Sequence, residues 1–152
     1  MEPLKTKRLM IYPASEYEMR RMIGKQSDGD LKTAYLEMLQ GALDHPDQRE
    51  WYAIWIIERT DGERVGSLCF KGLSCDGSAE IGYGIFEKYQ GHGYATEAVG
   101  AAVSWALRQP GVTRIEAETE PDNKASQRVL GKCGFSRTGT VGEEGPRFVK
   151  TR

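Results

Sequence analysis

Between Tyr89 and Val99 the chain reads YQGHGYATEAV, and these residue types at this spacing suit one task, holding an anion on bare backbone. Gly91 and Gly93 flank His92, and Tyr94 and Ala95 lead straight into small and apolar residues at helical spacing. Glycine costs about 0.5–1 kcal/mol relative to alanine inside a regular element, so two of them at a helix start need a reason. A turn that opens a helix presents unpaired N–H groups and the positive end of the helix dipole at one point. That point binds anions, phosphate above all, and Gly91, Gly93 and Ala95 are small enough to let a diphosphate approach. The ending Gly-Lys-Ser/Thr of a nucleotide P-loop is missing. A dinucleotide fingerprint fails as well, because Thr96 stands where its third glycine belongs and three strands come before the turn. A tight turn without a ligand gives the same glycine punctuation, so both readings stay open on the glycines alone.

Other reactive side chains are weaker signals. His92 sits in the turn, where its backbone matters more than its ring, although imidazole is a common acid–base group. His45 precedes Pro46 and reads as part of a helix end. Cys69, Cys75 and Cys133 lack metal-ligand spacing and are odd in number, which argues against a zinc site and a disulfide scaffold and for a reducing, cytoplasmic setting. Cys133 reads as filler near a helix end, and Trp51, Trp55 and Trp105 as core.

The elements that must position the turn follow from periodicity. Leu4–Tyr12 reads as a strand stopped by Pro13, and Glu16–Ile23 as a short helix. Leu31, Ala34, Tyr35, Met38, Leu39 and Ala42 form one apolar helical stripe. Trp51–Glu58 reads as a buried strand, joined through Asp61-Gly62 to Arg64–Phe70 as a hairpin. After the turn SCDGS, Ala79–Phe86 is a strand running into the glycines. Ala95, Ala98, Val99, Ala102, Val103 and Ala106 form the next stripe, closed by Pro110-Gly111. Val112–Thr119 is a strand, Pro121–Gly134 a short helix, and Phe135–Thr140 and Arg147–Thr151 are two last strands. The order β-α-α-β-β-β-α-β-α-β-β predicts a mixed sheet with helices packed on it.

Composition sets the outer limits. The 152 residues most simply form one domain, residues 1–152, and 39% hydrophobic with 28% charged content is that of a globular protein. Twenty-one basic against 22 acidic side chains leave a formal net charge of -1, so there is no electrostatic case for nucleic acid or an anionic membrane as partner. No apolar run approaches the ~20 residues of a membrane span, and no secretory leader is read.

The segment from Glu80 to Phe135 resembles the GNAT acetyltransferase superfamily, and within it the ribosomal-protein-like N-acetyltransferase branch. EIGYGIFEKYQGHGYATEAV contains the acetyl-CoA signature Q/R-x-x-G-x-G/A as Gln90, Gly93 and Ala95. PDNKASQRVLGKCGF matches the Asn-x-x-Ser helix, Asn123 and Ser126, that leads into a Gly-Phe strand, Gly134 and Phe135. Lys5-Thr6-Lys7-Arg8-Leu9 looks like the branch's opening strand. The resemblance implies a GNAT fold, a largely antiparallel mixed sheet of about seven strands with a central splayed parallel pair and flanking helices.

It also implies transfer of acetyl from acetyl-CoA to a primary amine, of a small molecule or a protein N-terminus, by direct attack in a ternary complex without metal. Gly91, His92, Gly93, Tyr94, Ala95 and Thr96 would hold the CoA pyrophosphate, with Gln90 beside them, and the backbone at Ile85 would pair with the pantetheine arm. Asn123 would hold the cofactor, and Ser126 would assist the leaving thiolate, since the helix SQRVLGKCGF lacks the tyrosine many relatives use. Glu80 is the first candidate for the base, with Glu144 and its neighbour Glu143 as rivals. Glu116 and Glu118 share one face of a strand, toward solvent or an acceptor groove. Relatives commonly form homodimers. The alternative is an acetyl-CoA-binding sensor that has lost turnover.

Overall fold

In the computed structural model, which describes residues 1–152, Leu4–Lys5 (β1) and Leu9–Pro13 (β2) form an antiparallel pair where one strand was expected. Thr6, Lys7 and Arg8 break the run because Thr6 and Arg8 turn outward to the carboxylate of Glu97. Glu16–Lys25 (α1) starts in a capping box, Ser15 and Glu18 each satisfying the other's backbone N–H. Gly29–Asp44 (α2) is capped by Asp28, which accepts from Asp30 and Leu31, and His45 closes it with Nδ1 2.8 Å from the Gly41 carbonyl.

The next strand begins later than the aromatic run suggested. Pro46–Trp51 winds into a 3₁₀ turn, its start suited to proline, so Trp55–Arg59 (β3) carries the pairing. Arg64–Cys69 (β4) follows across the Asp61-Gly62 turn, with a bulge between Ile57 and Glu58. Ser78–Glu80 (β5) and Gly82–Ile85 (β6) divide the expected strand Ala79–Phe86. Tyr94–Leu107 (α3), Arg114–Glu118 (β7), Lys124–Lys132 (α4), Ser136–Val141 (β8) and Pro146–Thr151 (β9) complete the chain.

These strands make two sheets, in the orders β1-β2-β3-β4-β6 and β5-β7-β9-β8. All pairs are antiparallel except β5 with β7. The expected mixed α/β architecture and parallel pair are therefore present, with nine strands because two expected ones divide. The switch takes one residue. The Ile81 N–H still donates to the Glu116 carbonyl of β7 at 2.9 Å, whereas Gly82 pairs with Cys69 of β4. Past Ile81 the sheets part, and β6 has a neighbour on one side only.

Helix α3 lies over the junction. Its small stripe of Ala98, Val99, Ala102, Val103 and Ala106 is wholly buried, which lets the helix axis come close to the sheets. Beneath it Trp51, Trp55, Phe70 and Trp105 pack with ring centroids 5.1–5.9 Å apart, the tilted and edge-on distances aromatic pairs favour. The buried Trp55 indole N–H finds the Glu50 carbonyl at 2.8 Å. Cys133 fills the C-terminal end of α4, as expected. A smaller core joins α1 and α2 to the other face of β3 through Met19, Ile23, Leu39, Ile54 and Ile56. No helix is long and apolar enough to cross a membrane.

Candidate active site

Three of the four α-helices begin with a side-chain cap, and α3 does not. Its N-cap is Gly93 at φ +81°, preceded by Gly91 at φ +82°. None of the six amides from Gly91 to Thr96 donates a hydrogen bond within the chain, so all are available to a ligand. The left-handed backbone is what requires glycine here, since an L side chain there costs roughly 1–2 kcal/mol. Crowding is not the reason. A Cβ at Gly91 would meet nothing within 4 Å, which leaves the space above the turn open.

The turn is fixed from behind. Glu97, one turn into α3, accepts from the Thr6 hydroxyl, from the Arg8 N–H at 2.9 Å and from Arg8 Nε at 2.8 Å. Arg8 Nη1 donates to the His92 carbonyl at 2.9 Å, and its guanidinium lies 4.6 Å from the centre of the Tyr94 ring. Burial pushes the Glu97 carboxyl up, but the hydrogen bonds from Thr6 and Arg8 outweigh it and hold it below the usual glutamate range. His92 itself is exposed, and this carbonyl is its engaged group.

A cleft of about 480 Å³ opens beside the turn, walled by Tyr83–Ile85 of β6, by Gln90 to Thr96 apart from His92, and by Asn123, Ser126 and Val129 at α4. Phe86 N–H donates to Val65 of β4 at 2.9 Å. Alternation along the strand then turns the backbone groups of Tyr83 and Ile85 toward the cleft. Gln90 Nε2 takes the Ile85 carbonyl at 2.9 Å. Across the cleft, Asn123 caps α4 by accepting from the Ser126 N–H at 3.1 Å.

Ser126 has a partner the sequence reading did not include. Its hydroxyl is 2.7 Å from the phenol of Tyr83, which also donates to the Ser126 carbonyl at 3.3 Å. Burial raises the Tyr83 pKa, against a smaller lowering by the Ser126 hydrogen bond, so the phenol stays protonated well past neutrality. The tyrosine lies on β6, opposite the helix of Asn123 rather than on it. Glycine on both sides of Tyr83, in GYGI, was the available signal.

The carboxylates lie elsewhere. Glu80 is held by Lys71 Nζ and Arg147 Nη2, each at 2.8 Å. Its partial burial favours the protonated form, but the two cations prevail and bring its carboxyl below the usual range. Arg147 also reaches Glu118 at 2.7 Å and Glu116 at 3.5 Å, so the shared face of β7 turns toward this arginine. Glu143 and Glu144 are exposed, and the Glu144 N–H donates to Glu118 at 2.8 Å. Of the expected catalytic set, the cleft lining includes Ser126 and neither Glu80 nor Glu144. Of the expected cofactor set it includes Ile85, Gln90, Gly91, Gly93, Tyr94, Ala95, Thr96, Asn123 and Ser126, without His92.

Residues 6–136 match a family model described as an acetyltransferase (GNAT) domain. The chain belongs to the GNAT acetyltransferase family. It is 38% identical over 89 residues to the uncharacterized N-acetyltransferase YoaA of Bacillus subtilis strain 168, covering 57% of this chain and 50% of that protein. It is 39% identical over 59 residues to the [ribosomal protein uS5]-alanine N-acetyltransferase of Escherichia coli K12, covering 39% of this chain and 30% of the relative. The matched part thus spans about half, or less, of these relatives' length. In fold it is similar to RimL, the ribosomal L7/L12 α-N-protein acetyltransferase in complex with coenzyme A, with a TM-score of 0.78 at 18% identity, over 99% of this chain and 98% of that one.

Proposed function

We propose that the protein transfers acetyl from acetyl-CoA to a primary amine, by direct attack while both are bound. The observation that carries this reading is the convergence of five free amides (Gly91 and Gly93 to Thr96), an unpaired strand edge and the Tyr83–Ser126 pair on one cleft. The amides of Gly91 to Thr96 bind the diphosphate at the positive end of α3. The edge of β6 receives the pantetheine arm as an added strand. A free N–H on that edge stabilises the oxyanion as the amine adds. Tyr83, held by Ser126, gives its proton to the departing sulfur. With a reference thiol pKa of ~8.5, that step needs modest help.

The acceptor enters from the opposite face of β6, where α2 leaves a hollow of about 370 Å³ lined by Leu31, Tyr35, Met38, Leu68 and Tyr83 to Phe86. Leu31, counted in the apolar stripe of α2, is 46% exposed there. No carboxylate or imidazole lines the cleft or this hollow. An acceptor must then bring its own neutral fraction, which favours an α-amine with a pKa of ~7.7–8.0 over a lysine-type amine at ~10.4. A protein or peptide N-terminus fits best. Glu144, outside both linings and with a carboxylate that makes no ion pair or hydrogen bond, takes up through water the proton that the amine sheds once it has attacked, and Glu80 serves as a fixed charge.

The lack of a carboxylate or imidazole in either lining is also what favours the second reading, a sensor that binds acetyl-CoA without turnover. Thiol release from acetyl-CoA, measured across N-terminal peptides, polyamines and lysine analogues, separates the two. Turnover greatest with α-amines supports transfer, and tight binding without any thiol release supports the sensor.

A further inference from the structure

A second hollow, of about 520 Å³, continues the acceptor hollow, and the two share Tyr35 and Phe86. Its walls come from α1, β3 and β4, and among them is Arg64. Arg64 makes no ion pair, its Nε is fully buried without a hydrogen-bond partner, and its guanidinium lies 5.5 Å from the centre of the Phe86 ring. The obvious partner is directly across the ladder, because Glu58 and Arg64 are register partners on β3 and β4. Opposite charges facing each other this way normally pair. Here Glu58 accepts instead from the Tyr12 hydroxyl at 3.0 Å, which helps to push the Tyr12 pKa up to about 12 after burial. The second carboxylate of the hollow, Glu18, is occupied by the Ser15 N–H at 2.9 Å. Arg21 and Lys25, also lining it, are outside ion pairs too, so the hollow has three cations against two engaged carboxylates.

We infer that Arg64 is an anion clamp that reads an acidic side chain of the acceptor, a few residues from the amine that is acetylated. A half-buried guanidinium with a buried, unpartnered Nε carries a desolvation cost, and a carboxylate arriving from a ligand offsets it through a bidentate, charge-assisted contact. The span follows from the register. Tyr83 pairs with Leu68, whose partner Trp55 lies three residues along β3 from Glu58, the register partner of Arg64, a separation of ~10 Å at the rise of a strand. An extended peptide advances ~3.3–3.6 Å per residue, so a glutamate in fourth place brings its carboxylate to Arg64 while its N-terminus lies at Tyr83. Met22 and Ile56 line the path between, beside Tyr12, Tyr17 and Tyr35, and suit the apolar parts of such a peptide.

This specificity rests on the acetyl-transfer reading, and two readouts separate their failures. The probes are the amidated peptides Ala-Ala-Ala-Glu and Ala-Ala-Ala-Gln. Calorimetric titration in the presence of coenzyme A reads the clamp, and thiol release with acetyl-CoA reads transfer. Wild type is expected to bind the glutamate peptide on the order of 10-fold more tightly. Arg64→Met should bring that ratio near one, and Arg64→Lys, which keeps the charge and the fold but loses the planar fork, should lower it several-fold. Equal binding of both peptides by wild type, or an unchanged ratio in both variants, overturns the clamp whether or not acetyl is transferred. An Arg64-dependent ratio without thiol release supports the clamp and refutes transfer.

Discussion

In the proposed transfer Tyr83 and Ser126 share the acid's work: one is buried enough to hold its proton, the other orients it. Tyr83→Phe should lower kcat about 10–100-fold and change coenzyme affinity little, since the general-acid contribution is partly dispensable for a thiolate. Steady-state kinetics with a calorimetric Kd checks this, and an unchanged kcat removes Tyr83 from the chemistry. Glu80 tests a different property. Its folded pKa lies below the reference 4.5 because two cations hold the anion, so its stabilisation is complete above the unfolded value and fades as pH falls through the folded one. Denaturant unfolding of wild type and Glu80→Gln should therefore show a gap that is constant near neutrality and closes in acid. A large loss of kcat at unchanged stability would instead make Glu80 the base. Neither residue's partner was readable from local sequence, because Tyr83 meets Ser126 across 43 positions and Glu80 meets Arg147 across 67.

Elements were more legible than contacts. The small stripe of α3 appears in the sequence at i, i+3 and i+4, and the structure buries each of Ala98, Val99, Ala102, Val103 and Ala106. The glycine turn was equally plain, since two positive-φ positions before a helix leave glycine as the residue without strain. The division of Ala79–Phe86 was not plain, because a strand that changes sheets keeps the alternation of one that does not. The support of the turn was hidden as well, for Thr6 and Arg8 stand about 90 residues from Glu97. Gly93→Val should abolish coenzyme binding in a protein that still folds. Glu97→Gln should leave the amides in place but less fixed, raising the coenzyme Kd roughly 10-fold through lost preorganisation. Calorimetry reads both, and an unaltered Kd in Gly93→Val contradicts the assignment of the turn.

At the scale of the molecule, the cleft exists because two sheets joined at Ile81 part beyond it, with α3 over the junction. In the proposed binding mode the coenzyme lies between β6 and α4, where it would replace the missing strand contact and link the two sheets. At 100 times its Kd it should stabilise the fold by about 2.7 kcal/mol. For a chain of this size that corresponds to a melting shift of about 5–10 °C, which a thermal scan will show. Adenosine without phosphates should give little of it if the diphosphate is the main anchor.

The proposed cleft works only if the amides opening α3 grip the diphosphate. Titration of ¹⁵N-labelled protein with coenzyme A, followed by amide resonances, tests it directly. The resonances of Gly91, Gly93, Tyr94, Ala95 and Thr96 should move together and saturate at the calorimetric Kd. Saturable binding that leaves those five unmoved while shifting others would contradict it.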